Sequence, residues 1–205
     1  MPTSSPKLPA AFFQGPDVLH IARSLLGKYL YTNIDGTITA GRIVETEAYR
    51  HHGDNSLTMH LQRRRHQGQG LYVPGGRAYI YTVYNRYALF NIAANDARHP
   101  DTVLIRALEP TIGVPTMLAR RGLAAAARAL TAGPGVMSQA LGITPVLSGL
   151  EVTGDVLWFE DNGEVIDEAE IVASSRVGLA YAGAEAAGLP WRFRIKGSPW
   201  TSPAK

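Results

Sequence analysis

Residues 28–49 of this 205-residue chain read KYLYTNIDGTITAGRIVETEAY. Branched and aromatic residues dominate two segments, 28–33 and 37–49, which flank Asp35 and Gly36. An Asp-Gly pair between strand-like segments is typical of a tight hairpin turn, because both residues tolerate positive φ. The stretch therefore predicts two antiparallel strands, and the second of them carries two neighbouring carboxylates, Glu45 and Glu47.

The rest of the chain continues with strands that have helices between and after them. A second hairpin is predicted at 78–84 and 87–94, and an apolar strand at 102–109. Residues 50–77 form a long polar segment without a clear period, which is usually functional or disordered. Together with helical patterns at 17–26, 113–121, 122–131 and 135–142 and short strands at 156–160, 170–173 and 191–196, this order predicts an α+β fold.

The composition fits one globular domain inside the cell. Hydrophobic residues make up 45% of the chain, so we expect residues 12–202 to form a single domain behind a loose terminus at 1–11. No apolar stretch approaches the ~20 residues that a membrane-spanning helix needs. The chain has no cysteine, which excludes disulfides and thiolate metal sites and is compatible with a reducing cytosol.

The charge is distributed unevenly along the chain. The net charge is only +3, yet residues 50–77 are rich in Arg and His and contain a single acid, Asp54. Residues 151–170 are rich in Asp and Glu and contain no Lys or Arg. A basic face opposite an acidic one is expected of a protein that binds a polyanion. Two ordinary solvated loops of opposite sign would give the same pattern.

Glu45 and Glu47 are two residues apart on the second strand, so their side chains share one face. Buried carboxylates are costly unless they are paired, and these two lie next to the apolar pair Ile43 and Val44. The pattern alone favours a solvent-facing polar edge, with Thr46 on the core side. A catalytic carboxylate is the alternative.

Tyrosines concentrate in the second hairpin, at Tyr79, Tyr81, Tyr84 and Tyr87. A tyrosine ring can stack on a nucleobase, although tyrosine is also common in ordinary strands. Tyr84 lies at the predicted hairpin tip beside Asn85, where a large side chain has little of its own chain to pack against. It is a candidate wedge for insertion into a DNA stack.

Arg106 lies inside the apolar strand predicted at 102–109. A buried arginine needs a carboxylate or phosphate partner. Two interpretations stay open at this point: a structural ion pair, for instance with Glu109, or a role in a functional site.

Several segments together resemble the alkyladenine (3-methyladenine) DNA glycosylase family. They follow one another in the family's order from about residue 12 to residue 202, so the resemblance covers nearly the whole chain, and their order and spacing make it specific. The segments are ARSLLGK at 22–28, GRIVETEAY at 41–49, the tyrosine hairpin through Asn91, VLIRALEP at 103–110, GPG at 133–135, QAL at 139–141, RVG at 176–178 and RFRIKGSPW at 192–200.

This resemblance implies a single compact domain with a curved antiparallel sheet flanked by helices, similar to the C-terminal domain of a tRNA-modifying formyltransferase. It implies that the protein flips alkylated or deaminated purines, such as 3-methyladenine, 7-methylguanine, hypoxanthine or ethenoadenine, out of double-stranded DNA. Hydrolysis of the N-glycosidic bond would then start base excision repair. The family implies no cofactor, no metal, a monomer, and a location in the cytoplasm (the bacterial nucleoid) or the nucleus.

The resemblance also implies roles for single residues. Glu47 is the expected general base that activates water, and Arg106 is the neighbour that orients the water and keeps Glu47 ionised. Tyr49 and Tyr81 are expected to stack on the flipped base. Asn91 is expected at the pocket floor, where it discriminates against the exocyclic amino group of guanine.

Contacts to the DNA duplex are expected outside the pocket. Tyr84 would fill the gap that the flipped nucleotide leaves. Val136 stands where the family commonly has a lysine, which removes one phosphate contact. The candidate residues for the phosphate backbone are Arg63, Arg64, Arg65, Gly133, Gly135 and Lys196.

The sequence departs from the family at one pocket position. The family has a histidine nine residues after the pocket tyrosine, and counting from Tyr49 gives Thr58, which we therefore assign to the pocket wall. His60 is close, but it need not face the same way. A threonine there predicts a wider pocket, a different set of lesions and weaker action on neutral purines.

Two other functions remain open. The first is a catalytically weak damage-binding or nucleic-acid-binding module on the same fold, against which the retained Glu47 and Arg106 argue. The second is an enzyme that acts on free nucleosides, in which Tyr84 at a loop tip and the arginine run would have no purpose.

Overall fold

The longest strand of the protein organises its sheet. The computed structural model describes residues 5–203, and in it β2 (Thr37–Tyr49) pairs antiparallel with three other strands. The other strands are β1 (Tyr29–Ile34), β3 (Ala78–Val83), β4 (Tyr87–Ala94), β5 (Asp101–Ile112), β6 (Leu157–Glu160), β7 (Ile171–Ser174) and β8 (Arg192–Ile195). The main sheet has the order β3–β4–β5–β2–β1–β6, and β8 pairs with both β2 and β7.

Both predicted hairpins are confirmed. Asp35 and Gly36 have φ of 52° and 77° and join β1 to β2. Positive φ at both positions gives a turn whose twist matches the twist of the flanking strands. In the second hairpin, Val83 pairs with Tyr87 across a three-residue tip.

Irregular pairing bends β2 over its neighbour β5. The register shifts between Ala40 and Gly41 and again around Glu45. Such bulges increase the local twist and bend of a strand. Gly41 also lets the two strands approach closely, because a Cβ atom there would clash with the Leu108 side chain and the Glu109 carbonyl. The sheet is therefore the curved antiparallel sheet that the family resemblance implies.

The structure has α-helices at three of the four predicted positions. Asp17 caps the first of them and accepts hydrogen bonds from the backbone N–H groups of Leu19 and His20. The predicted helix at 122–131 is wrong: Gly122 adopts a φ of 63° and ends the preceding helix, and only Arg128–Leu130 forms a short 3-10 turn. The α-helices are α1 (Val18–Ser24), α2 (Asn55–Arg63), α3 (Arg65–Gly68), α4 (Val114–Arg121), α5 (Pro134–Leu141) and α6 (Ala184–Gly188).

The buried apolar side chains form two clusters. The larger one lies between the curved sheet and the helices that cover it, including α1 and α5. The smaller one consists of Leu57, Leu71, Tyr79 and Ala93, and it packs α2 onto β3 and β4. This second cluster holds α2, in the middle of the long polar segment, against the tyrosine hairpin.

The described part of the predicted loose terminus packs onto the sheet. Leu8 is buried, and its backbone N–H donates to the Phe159 carbonyl at 2.9 Å. Residues Ala10–Phe13 form a 3-10 turn with a buried Phe13. Residues 1–4 of that segment lie outside the described residues.

Candidate functional site

A cavity of about 1180 Å³ opens between the β3–β4 hairpin, helix α2 and the N-terminus of α5. Five of the residues assigned to the pocket by resemblance line it together, although they come from four strands. They are Glu47, Tyr49, Tyr81, Asn91 and Arg106.

Glu47 lies at the floor of this cavity with no surface exposed to bulk solvent. Its Oε1 atom accepts a hydrogen bond from the Val177 backbone N–H at 2.8 Å and lies 3.2 Å from Arg106 Nη1. Its Oε2 atom accepts a hydrogen bond from the Tyr49 hydroxyl at 2.7 Å. Each carboxylate oxygen can accept more than one hydrogen bond, so Glu47 is held in place and still has acceptor capacity.

Arg106 is wedged between the two carboxylates of β2. Its Nε donates to Glu45 Oε1 at 2.8 Å, while its Nη1 lies 3.2 Å from Glu47 Oε1. Burial alone would lower the pKa of Arg106, but the carboxylates of Glu47 and Glu45 raise it above its ordinary value. The ion pair with Glu109 suggested by the sequence is wrong, because Glu109 pairs with Arg42 instead.

Glu45 is not a solvent-facing edge residue, as the pattern alone favoured, but a fully buried structural anion. Its carboxylate accepts hydrogen bonds from Arg106, from Arg192 Nε at 2.7 Å and from the backbone N–H of Ser202 at 2.5 Å. Burial would raise the pKa of Glu45, but Arg106, Ser202 and Arg192 together hold it below its usual range. Glu45 thus holds the Arg106 guanidinium in place, and Glu47 is the one of the two carboxylates that lines the cavity.

Tyr49 is fixed by an arginine stacked on its ring. The guanidinium of Arg176 lies 4.6 Å from the Tyr49 ring centroid, and it also lies over Trp191. Burial, and then the negative charge of Glu47, raise the pKa of the Tyr49 phenol well above its usual value. The phenol therefore keeps its proton and remains a donor to Glu47.

Arg176 itself is held by a buried carboxylate. Its Nη1 and Nη2 atoms donate to Asp54 at 2.6 and 2.9 Å, and neither side chain has exposed surface. Asp54 also caps α2 by accepting from the Ser56 N–H. One ion pair therefore links the start of α2 to Tyr49 and, through the adjoining Val177, to Glu47.

Tyr81 forms the opposite side of the cavity together with His60. The two ring centroids are 4.7 Å apart, and His60 Nε2 lies 2.7 Å from the Tyr79 hydroxyl. Burial, assisted by the nearby Arg64, lowers the pKa of His60 to about 4. His60 is therefore a neutral ring near pH 7, and it lines the cavity beside Tyr81.

Thr58 does not lie where the residue count placed it. It is exposed on α2, its hydroxyl donates to the Asp54 carbonyl, and it is not among the residues that line the cavity. The helical period explains the difference, because Leu57 and His60 are three residues apart and share the inner face. The prediction that Thr58 widens the pocket loses its basis, since His60 occupies that wall.

Asn91 is buried at the cavity floor, where β4 pairs with both β3 and β5. Its Nδ2 atom donates to the Leu89 carbonyl at 3.1 Å. The amide is therefore fixed in orientation, which is what a residue that reads the edge of a base requires.

Tyr84 stands at the tip of the hairpin and is 90% exposed. Tyr84 and Asn85 have φ of 53° and 49°, a backbone conformation that non-glycine residues seldom adopt. Positive φ at two consecutive residues is the geometry of a tight hairpin turn, as at Asp35 and Gly36, and here two non-glycine residues adopt it. The tip lies at the mouth of the cavity, since Tyr84 is also among its lining residues.

Five of the six residues predicted to contact the DNA backbone line the cavity. Arg63, Arg64 and Arg65 line the cavity at the C-terminal end of α2, and Gly133 and Gly135 line it at the N-terminus of α5. A Cβ atom on Gly135 would lie 2.7 Å from the Tyr87 ring, so only glycine lets α5 approach the hairpin this closely. Lys196 is exposed in the turn after β8 and does not line the cavity.

The sequence reasoning missed several residues that hold the site. Arg176 and Val177 lie in a matching segment, but no role was assigned to them, and the resemblance gave no role to Ser202. Asp54 did carry a signal, because it is the lone acid in a basic stretch and is therefore a candidate for burial and pairing.

Within residues 5–203 no group of three or more His, Asp or Glu side chains is arranged to hold a metal ion. In the same part of the chain no helix is long and apolar enough to cross a membrane.

The sequence that forms this fold and cavity matches that of a DNA glycosylase family. Residues 11–199 match the family model described as "Methylpurine-DNA glycosylase (MPG)", and the chain therefore belongs to this family. This result confirms the resemblance found in the sequence.

Individual relatives agree with the family match. A protein of Bacillus cytotoxicus is 37% identical over 96% of this chain and 99% of its own length. A protein of Chlorobaculum parvum is 39% identical over 96% of this chain and 90% of its own length. A third, from Bacillus cereus, is 37% identical over 95% of this chain and 98% of its own length. All three carry the name "Putative 3-methyladenine DNA glycosylase".

Proposed function

We propose that this protein is a monofunctional DNA glycosylase that flips a damaged purine out of duplex DNA and hydrolyses its N-glycosidic bond. The observation that carries this proposal is the placement of Glu47 and Arg106 at the floor of a cavity whose walls include Tyr49 and Tyr81 and whose mouth carries Tyr84. The substrates included in this proposal are alkylated or deaminated purines: 3-methyladenine, 7-methylguanine, hypoxanthine and ethenoadenine.

Recognition starts at the hairpin tip. A base inside a duplex cannot reach a cavity, so it must rotate out, at a cost of about a few kcal/mol. Tyr84 projects from a fixed turn and would occupy the gap, as apolar wedges do in bent DNA. Damage weakens base pairing and lowers the cost of flipping, which gives part of the selectivity. Arg63 and Arg65, near the end of α2, and the N-terminus of α5 would hold the flanking phosphates.

Glu47 would then act on water. As the bond between the sugar C1′ and the base nitrogen breaks, its electron pair leaves with the base and positive charge develops on the sugar. A carboxylate beside that sugar stabilises the charge and accepts a proton from the water whose oxygen bonds to C1′. Glu47 lines the cavity floor, where a flipped nucleotide would bring its C1′ atom. Undamaged, stacked DNA would not be attacked.

The cavity favours hydrolysis over strand cleavage. A glycosylase that also cuts the strand uses an amine to form a Schiff base with the sugar. None of the described residues that line the cavity is a lysine. Water is therefore the nucleophile in this proposal, and the abasic strand is left intact for the next enzyme of base excision repair.

The test is a base-release assay on a panel of duplex oligonucleotides, each with one lesion, with the corresponding free nucleosides as a second panel. We expect free base from alkylated or deaminated duplex DNA and none from nucleosides. Release from nucleosides alone would favour the nucleoside enzyme. Tight, salt-sensitive binding to lesion DNA without release would favour the binding module.

The role of the pocket wall is tested separately at His60. Replacing His60 with Ala should slow single-turnover base release about tenfold, because a ring that contacts a base contributes roughly 1–3 kcal/mol. The matched control is Thr58→Ala, about half a turn away from His60 on the same helix, which should stay within about twofold of wild type. Equal effects of the two changes would contradict the placement of His60 in the wall.

A further inference from the structure

Arg64 is a fixed cation in the wall of the cavity. Its guanidinium lies 4.8 Å from the Tyr81 ring centroid. Its Nη2 atom donates to the Thr82 carbonyl at 2.9 Å, and its Nη1 atom donates to Gln67 Oε1 at 2.9 Å. These three contacts hold the charge at the side chain that is expected to stack on the base.

The charge of Arg64 is not balanced by a neighbouring acid. Two buried arginines near the site, unlike the half-buried Arg64, each have a carboxylate partner: Arg106 pairs with Glu45 and Glu47, and Arg176 pairs with Asp54. Within residues 5–203 no carboxylate lies within 4.0 Å of the Arg64 guanidinium.

Among the described residues that line the cavity, no unpaired carboxylate is left to neutralise Arg64. Glu47 is the single carboxylate among the described residues that line the cavity, and Arg106 already neutralises it. The field of Arg64 reaches the neighbouring wall, since it adds to the effect of burial in lowering the pKa of His60. The cavity therefore carries the positive charge of Arg64 in addition to the neutral ion pair of Glu47 and Arg106.

We propose that Arg64 sets the lesion preference of this enzyme by charge, disfavouring purines that carry a positive charge and so favouring uncharged ones such as hypoxanthine. This inference rests on the proposed function. The negative face of an aromatic ring attracts a cation, but the Arg64 guanidinium already makes this cation–π contact with Tyr81. A cationic alkylpurine that stacked on the same ring would also be repelled by the arginine at short range. An uncharged purine meets no such repulsion.

Tyr49 provides an internal comparison. Its ring also carries a guanidinium, that of Arg176, at 4.6 Å. There, however, Asp54 neutralises the cation through two hydrogen bonds. The two tyrosine walls therefore differ in net charge, and the difference is located at Arg64.

The experiment compares Arg64→Gln with Arg65→Gln. Arg65 is the matched control, because it is an exposed arginine on the same rim, and the described side chains make no ion pair or ring stacking with it. Single-turnover release would be measured for 3-methyladenine and 7-methylguanine from methylated duplex DNA, and for hypoxanthine from a duplex of the same sequence. Intrinsic lability of each lesion cancels when variants are compared with wild type.

We expect Arg64→Gln to raise release of the charged bases relative to hypoxanthine by about tenfold. Arg65→Gln should change both rates in parallel, since it removes only a contact to the phosphate backbone. Arg64→Lys keeps the positive charge, so its ratio of charged-base release to hypoxanthine release should remain close to that of the wild type. This variant separates an effect of charge from an effect of side-chain packing. An unchanged ratio in Arg64→Gln, with base release intact, would overturn this inference alone. No base release by the wild type would overturn the proposed function and this inference with it.

Discussion

Replacing Glu47 with Gln should reduce single-turnover base release from lesion-containing duplex DNA by about a thousandfold or more. Gln has the same shape and can still accept from the Val177 N–H, but it is neutral and cannot take a proton from water. It also leaves Arg106 facing an uncharged group, although Glu45 continues to hold that guanidinium. The affinity for lesion DNA should change little, because Glu47 has no exposed surface with which to meet the phosphates.

The control for this change is Glu109→Gln on β5. Glu109 is about 43% exposed at its side chain, pairs with Arg42 and lies outside the cavity, so its loss should leave base release unaltered. A Glu47→Gln protein that kept a tenth or more of the wild-type rate would contradict the general-base role. A loss of rate that weaker DNA binding fully explained would also contradict the general-base role.

Replacing Arg176 with Met should lower the free energy of unfolding by about 3–5 kcal/mol, measured by urea denaturation. The reason is that Asp54 would remain buried as an unpaired charge, which costs more than the lost attraction. The variant also loses the hydrogen bonds from Arg176 to the carbonyls of Ala48 and Ala186. If it folds, it should release base more slowly, since Tyr49 loses the guanidinium that stacks on it.

The double variant Asp54→Asn with Arg176→Met should regain part of that stability, because no buried charge is left alone. An exposed pair serves as the control. Arg77→Met removes a surface contact to Glu151 and should change the urea midpoint only slightly. If Arg176→Met behaved like Arg77→Met, the buried pair would not be a structural link of the site.

The same pair contributes a pH dependence. Burial would raise the pKa of Asp54, but hydrogen bonds from Arg176 and Ser56 hold it below its usual range. The stabilisation is therefore complete above the ordinary pKa of an aspartate and is lost as the pH falls through the lowered value.

The strands of this protein follow closely from its sequence, because period-two patterns and the Asp35-Gly36 turn are local signals. The predicted strand at 37–49 has the bounds of β2. The helix predicted at 122–131 failed because Gly122 takes a left-handed conformation that a helical pattern of Leu and Ala does not reveal. The long segment at 50–77 appeared irregular since its two helices are short and polar.

The site was harder to predict than the fold. Pattern alone treated Glu45 and Glu47 as an exposed edge, whereas the structure buries both, with Glu45 between Arg106 and Arg192 and Glu47 beside Arg106. Residues that are distant in sequence make those contacts, so no local pattern contains them. Counting residues placed Thr58 in the wall, but a helix presents residues by its period of 3.6 and brings His60 inward instead.

The most direct test of a Glu47-dependent hydrolysis is one assay of the wild-type protein with methylated duplex DNA. Free 3-methyladenine would be quantified, strand integrity would be examined before and after alkali, and borohydride would be added to trap any Schiff base. The account predicts free base, a strand that breaks only after alkali, and no trapped adduct. Absence of free base, or strand cleavage with a trapped covalent adduct, would contradict it.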